Sequence, residues 1–476
     1  MSENSLKKCV PIEIPDNNPF QNDVLNRKDN IETLTTFITS FEQSIVLCID
    51  GGWGQGKTTF IKMWEKYLHQ QSIPTIYFNA WESDYTDDAL IALIGEISLS
   101  IENLSGENKK NGNGFLNTLK NTSIYLVKDA SAKDWLAIGS AMGSFFTNGR
   151  IKADKIVDFT NNLGACLAKK QIEKYEKSKQ ILNEFKKNLS KLAECHSPSN
   201  EMKPLIIFID ELDRCRPNFA IEVLEKAKHL FNVDNIIFVL ATDKSQLAHS
   251  IRAVYGQGLD VNGYLRRFID FDYLLPIPNK NKFINTLLEK LSLNDIVDVI
   301  FYSGVTIRVF IWDFIYLYQL TLREIEAFCN ILNIVARSHN RFRTNELILV
   351  FFFIIIKIKV PDIYKTYNNL DSEDNDNIII FINNVLENID SNYTLVDKNR
   401  LNFFEYLGCL LLSIFSSDSV EILTSTITDY LKKFNLNEEK IKIIHNCLRK
   451  SKTEEIGIST LQEIKKAIEI STNFSF

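Results

Sequence analysis

The segment Gly51-Gly52-Trp53-Gly54-Gln55-Gly56-Lys57-Thr58 constrains this chain more than any other, because it fits the pattern GxxxxGK[ST] and carries the two flanks that pattern needs. Ahead of it, Ser44 to Ile49 is almost continuously apolar and rich in β-branched residues, as expected of a strand buried on both faces of a parallel sheet. Behind it, Phe60, Ile61, Trp64, Tyr67 and Leu68 recur at three- and four-residue steps and predict a helix packed on that sheet. The glycines let backbone N–H groups turn inward around a β-phosphate, where the following helix adds its positive N-terminal end. Lys57 is then the mobile charge for the β- and γ-phosphates, and the Thr58 hydroxyl a ligand for Mg²⁺. With Thr59 these residues form the candidate binding set for ATP, and ATP with Mg²⁺ is the expected cofactor pair.

The second half of such a site is Pro204 to Arg214, an apolar strand ending in Asp210, Glu211 and Asp213. Asp210, at the strand's carboxyl end, is the expected partner of the Mg²⁺ shell, and Glu211 is placed to orient or deprotonate the attacking water. Asp213 has two readings here: a part in the site, or an ion pair with Arg214 or Arg216. The next apolar strand, Ile236 to Thr242, brings Thr242 and Asp243 to the ligand edge of the sheet. They are candidates to sense the γ-phosphate, and capping the helix over Ser245 to Ala253 is the competing role. Arg266 and Arg267 offer guanidinium groups that could act across a subunit interface or pair with Asp270 or Asp272. Arg323, in the segment Leu320-Thr-Leu-Arg-Glu, is a further candidate nucleotide contact from the C-terminal region.

Strands alternating with helices predict an α/β fold with a parallel sheet covered on both faces. The elements expected are a helix from Val24 to Phe41, the strand at 44–49, a helix after the loop, a strand at Thr75 to Asn79, and a helix capped by Thr86. From about 102 to 200 the composition shifts to Asn, Lys, Gly and Ser and then to helical segments, which reads as a helical insertion. Its last part, Lys169 to Glu194, is lysine-rich: a solvated face, or a surface for nucleic acid or a partner. The expected domains are therefore 1–275, the NTPase core with its insertion, and 276–476, an α-helical lid or partner-binding region.

Composition excludes more than it assigns. The 476 residues, 45% hydrophobic, can bury two or three domains. A net charge of -6 offers no global attraction to nucleic acid. The eight cysteines are scattered, with no CxxC pair and no zinc spacing, and read as reduced, buried thiols of a cytoplasmic protein. The first 30 residues are polar and carry Pro11, Pro15 and Pro19, which does not suit a signal peptide. The apolar run Leu347 to Ile356 and the segment Trp135 to Phe146 are too short to span a bilayer, which needs about 20 apolar residues. A core helix or strand and a soluble protein are expected instead. No HExxH and no His/Cys cluster supports protease or nuclease chemistry.

Taken together, Gly-Gly-Trp53-Gly-Gln-Gly-Lys-Thr, Phe78-Asn79-Ala80-Trp81 and Asp210-Glu-Leu-Asp213-Arg214-Cys215 resemble the KAP family of P-loop NTPases, a STAND/AAA-like branch. The resemblance covers about residues 20 to 275, and it implies nucleotide binding and a cycle coupled to conformational change or oligomer assembly. The expected partners are a homo-oligomer, an effector protein or both, and the resemblance associates soluble members with exclusion of phage and plasmids. Two departures stand out. Relatives often carry transmembrane helices between the two motifs, where this chain has no long enough span; and the family's usual Asp-Asp is Asp210-Glu211 here, a pair that favours hydrolysis. The alternative function is a nucleotide-gated scaffold with little turnover.

Overall fold

The computed structural model describes residues 12–41, 43–86, 89–104, 203–231, 233–302, 305–338, 342–368 and 463–469, with six positions between 180 and 190, and 407 and 410. The chain divides into two compact units, one of them Ile12–Ile277 and the other including Pro278–Phe476.

The first unit runs α1 (Lys28–Thr39), β1 (Ile45–Asp50), α2 (Lys57–Gln70), β2 (Thr75–Asn79), α3 (Ala89–Leu104), β3 (Leu205–Asp210), α4 (Pro217–Phe231), β4 (Ile236–Thr242), α5 (Lys244–Tyr255), α6 (Val261–Leu265) and β5 (Phe271–Leu274). The strands form one five-stranded sheet in the order β2-β3-β4-β1-β5, and every pairing is parallel. This is the α/β, P-loop-type sheet that the alternation of strands and helices predicts. The strand β5 is an addition, because Phe271–Leu274 is short and largely exposed and carries no buried apolar run.

Two cores follow from the two-residue period of the strands. Val46, Cys48, Phe78, Ile207, Ile209, Phe238 and Leu240 face one side, where Leu93, Leu224, Leu247 and Leu265 cover them. Ile45, Leu47, Ile49, Ile206, Phe208, Ile237 and Val239 face the other, under Ile31, Leu34, Phe60, Trp64 and Leu68. Every residue of β3 and β4 is buried, which explains their unbroken apolar sequence. The one polar atom of Trp64 is satisfied within this core, its indole Nε1 donating to the Thr35 hydroxyl at 2.8 Å.

Most of the expected insertion, including Trp135 to Phe146, lies outside the described residues. Within Lys169 to Glu194 the described positions are helical, and Leu189 is buried in the core with Leu93 and Leu224. The Thr86 hydroxyl donates to the Ser83 carbonyl at 2.9 Å. Cys48, Cys215 and Cys329 are buried thiols in no disulfide, and burial pushes the thiols of Cys48 and Cys215 far up.

The second unit comprises α7 (Lys280–Lys290), α8 (Asn294–Val297), a short antiparallel pair β6 (Ile300–Tyr302) and β7 (Val305–Thr306), then α9 (Arg308–Leu317), α10 (Leu322–Ser338), α11 (Thr344–Lys359) and α12 (Pro361–Asn368). The run Leu347 to Ile356 is the buried body of α11, where Phe351 meets Phe328 and Phe352 meets Phe314. Among the described residues no helix is long and apolar enough to cross a membrane.

Candidate nucleotide site

Register brings the polar ends of four strands level. Asn79 lies opposite Asp210, Asp210 opposite Ala241, and Thr242 opposite Asp50, which leads directly into the glycine loop. In an open parallel sheet the carboxyl edge is where ligands bind, and these side chains line it because each apolar strand gives way there to a polar residue.

The loop from Gly51 to Gly56 closes with Gln55 N–H donating to the Gly52 carbonyl at 3.3 Å. Gly54 and Gly56 hold φ of 72° and 85°, the left-handed region that a Cβ disfavours, and Gly56 sets the start of α2 in that geometry. Lys57 folds back over the loop, its Nζ 2.6 Å from the Gly51 carbonyl and 3.3 Å from that of Gly52. Its partners are neutral carbonyls, and no ion pair with a carboxylate fixes it among the described residues. Beneath the loop the guanidinium of Arg27 is buried, donating to the Pro276 carbonyl at 2.7 Å and to the Gln55 carbonyl at 3.4 Å. Burial pulls its pKa down, and Asp23 partly offsets this.

Asp210 is wholly buried. It accepts from the Tyr77 hydroxyl at 2.9 Å and the Glu211 N–H at 2.8 Å, and the Thr58 hydroxyl lies near enough to lower its pKa. Burial raises its pKa above the usual carboxylate value, and the neighbouring hydroxyls of Tyr77 and Thr58 oppose that shift. A hard dication suits this donor set: a buried carboxylate and a hydroxyl from the first turn of α2, both oxygen ligands of the kind Mg²⁺ takes. The residues present therefore fit a nucleotide with Mg²⁺, with an ammonium held only by neutral carbonyls for phosphate charge and oxygen donors for the metal.

Glu211 adopts a left-handed backbone, φ 61°, and turns its carboxylate toward Arg214 at 2.7 Å and the Asn79 amide at 3.4 Å. The Arg214 guanidinium in turn lies 5.7 Å from the ring centre of Trp81. Arg216 goes to Asp84, with Nε 2.8 Å from Oδ1. Asp213 pairs with neither arginine: it accepts from the Trp53 indole at 2.5 Å and the Thr242 hydroxyl at 3.1 Å.

The other sequence candidates are spread out. Asp243 caps α5, accepting from the amides of Ser245 and Gln246 at 3.0 and 3.2 Å. Thr242 stays at the edge, buried, beside the loop. Arg266 and Arg267 are exposed at the end of α6, while Asp270 accepts from Val46 N–H and Asp272 pairs with Lys244. Arg323 is exposed in the first turn of α10, in the other unit. Sequence reasoning assigned no role to Tyr77 or Arg27, marked Asn79 only within the family-like segment 78–81, and took Arg214 only as a candidate partner of Asp213. Tyr77 and Asn79 could have been found from the two-residue period of β2, which puts both on the face opposite Phe78; Arg27 had no motif to mark it.

A profile of the KAP family P-loop domain matches residues 27–339. No curated protein matches the chain. Similar solved structures include the Aeropyrum pernix ORC2 protein in ADPNP–ADP complexes, with 12% identity and a TM-score of 0.35, covering 94% of this chain and 95% of that one. Another is AMPPCP-bound DnaA from Aquifex aeolicus, with 11% identity and a TM-score of 0.29, covering 90% of this chain and 95% of that one. At these TM-scores neither likeness carries an argument.

Proposed function

The chain belongs to the KAP family of P-loop NTPases, and from that premise we propose that it is a Mg²⁺-dependent ATPase whose cycle drives conformational change or assembly with itself or an effector protein. The observation that carries the proposal is the wholly buried carboxylate of Asp210 at the end of β3, level with the end of β4, where Thr242 accepts from the Gly51 N–H of the glycine loop. Lys57 answers phosphate charge once it leaves the Gly51 and Gly52 carbonyls, which hold it in neutral contacts only. Amides of Gly51 to Gly56 and the N-terminus of α2 hold the β-phosphate. Thr58 and Asp210 hold Mg²⁺, which when bound neutralises phosphate oxygens. Glu211 takes a proton from the attacking water as the new bond to the γ-phosphorus forms and the bond to the β–γ bridging oxygen breaks.

The second reading, a nucleotide-gated scaffold with little turnover, has one observation in its favour: Glu211 is engaged by Arg214 and Asn79. Both readings need Lys57, and only the first needs Glu211. Phosphate release and ATP binding, measured for wild type, Glu211→Gln and Lys57→Ala, separate them. The ATPase reading expects loss of turnover by about 10²–10⁴-fold in Glu211→Gln with ATP still bound, and equal rates in all three proteins would sink it.

Arg266 and Arg267 are assigned as candidate fingers acting in trans, a reading supported by their exposure. Mixing Arg266→Ala or Arg267→Ala protein with Glu211→Gln protein restores turnover if interfaces complement one another; no loss of turnover in either arginine variant rules the assignment out. A cytoplasmic role in defence against phage or plasmids rests on the family alone.

A further inference from the structure

The Asp213 carboxylate is 7% exposed, and both its oxygens accept from neutral donors on different strand ends. One donor is Trp53, third residue of the glycine loop after β1; the other is Thr242, last residue of β4. Asp213 itself sits in the turn Leu212–Arg214 that follows Asp210 and Glu211. A buried carboxylate is costly unless it is fully hydrogen-bonded, and a cation is the usual partner. Here the guanidinium of Arg214 is engaged with Glu211 and that of Arg216 with Asp84, so the charge is held by an indole N–H and a hydroxyl. Charge-assisted bonds of this kind are stronger than neutral ones. Thr242 also has a backbone link to the loop: Gly51 N–H donates to the Thr242 carbonyl at 3.3 Å.

We propose that Asp213 is a positioning residue of the nucleotide site, tying the tip of the glycine loop through Trp53 to Thr242 at the end of β4, so that loop and sheet edge hold one arrangement together. The proposal rests on the nucleotide-site reading above. Trp53 projects a half-exposed ring while its N–H points inward, so the bond fixes the orientation of a loop residue that packing alone leaves half free. The hydrogen bonds of both Trp53 and Thr242 converge on this one carboxylate.

The test is a double-mutant cycle on the full chain, read by calorimetric titration with ATP and Mg²⁺. Trp53→Phe and Thr242→Val are each expected to weaken binding about three- to tenfold, and the double variant no more than either alone, because groups in one network couple. In the Asp213→Ala background neither change should have any further effect. Asp213→Asn, which can accept from the indole and donate to the Thr242 oxygen, should recover most of the affinity. It is also the variant to use if Asp213→Ala does not fold. Multiplicative losses in the double variant, or undiminished effects of both changes without the carboxylate, would overturn the proposal. Failure of the wild type to bind ATP would instead overturn the nucleotide-site reading, and this proposal with it.

Discussion

Arg214 Nη1 stands 2.7 Å from Glu211 Oε1, within a turn whose first residue carries the positive φ of 61°. The carboxylate proposed to activate water is thus held by a cation three residues further on. A partly exposed pair of this kind is worth about 0.5–1 kcal/mol, and 1.36 kcal/mol is a tenfold change in rate. Arg214→Gln is therefore expected to raise turnover about two- to fivefold at saturating ATP, measured by steady-state phosphate release. A fall in turnover would mean that Arg214 serves the chemistry instead of restraining Glu211.

Tyr77 donates to Asp210 Oδ2 at 2.9 Å and is the side chain that orients the proposed Mg²⁺ ligand from outside. Loss of an outer hydrogen bond to a metal ligand typically costs 10–100-fold in metal affinity or activity. Tyr77→Phe should raise the Mg²⁺ concentration for half-maximal turnover by about tenfold, with an unchanged melting temperature at saturating Mg²⁺. An unchanged Mg²⁺ titration would remove Tyr77 from the site.

Thr35 is the acceptor for the wholly buried indole of Trp64. Replacing it with valine keeps the shape and strands the N–H, at about 1–3 kcal/mol. In a unit of this size that lowers Tm by roughly 2–12 °C, read by thermal unfolding, while ATP affinity stays within error of the wild type. A Tm equal to wild type would show that the indole finds another acceptor.

Burial raises the pKa of Glu65 on α2, against the opposing pull of Lys62 and Lys66. A raised folded pKa means that the folded state holds the proton more tightly, so this stabilising contribution is present below the ordinary glutamate value and is lost as pH rises through the folded one. At pH 7 the ionised group is a net cost. Glu65→Gln should therefore raise Tm at pH 7.5, with the gain shrinking as pH is lowered toward 4.5. A gain that is the same at both pH values would assign it to packing.

The sequence determined the parts that local periodicity and a rigid motif specify. The loop Gly51 to Thr58 has to sit between a buried strand and a helix, because only left-handed residues such as Gly54 and Gly56 make that turn. The buried runs of β3 and β4 likewise announced a parallel sheet and put Asp210 at its edge. Side-chain partners were a different matter. Asp213 stands next to Arg214 in the chain yet bonds to Trp53, 160 residues away, and to Thr242. Sequence proximity favours the arginine, but the strand order β2-β3-β4-β1-β5 places the ends of β1 and β4 against the turn after β3, and those ends supply the donors. The same strand order sets Tyr77 beside Asp210, whereas Asp243 caps its own helix through the amides of Ser245 and Gln246, a local bond that the sequence already offered. A hydrogen bond is decided by a few tenths of an ångström between chain segments, and only the register of the folded sheet sets that distance.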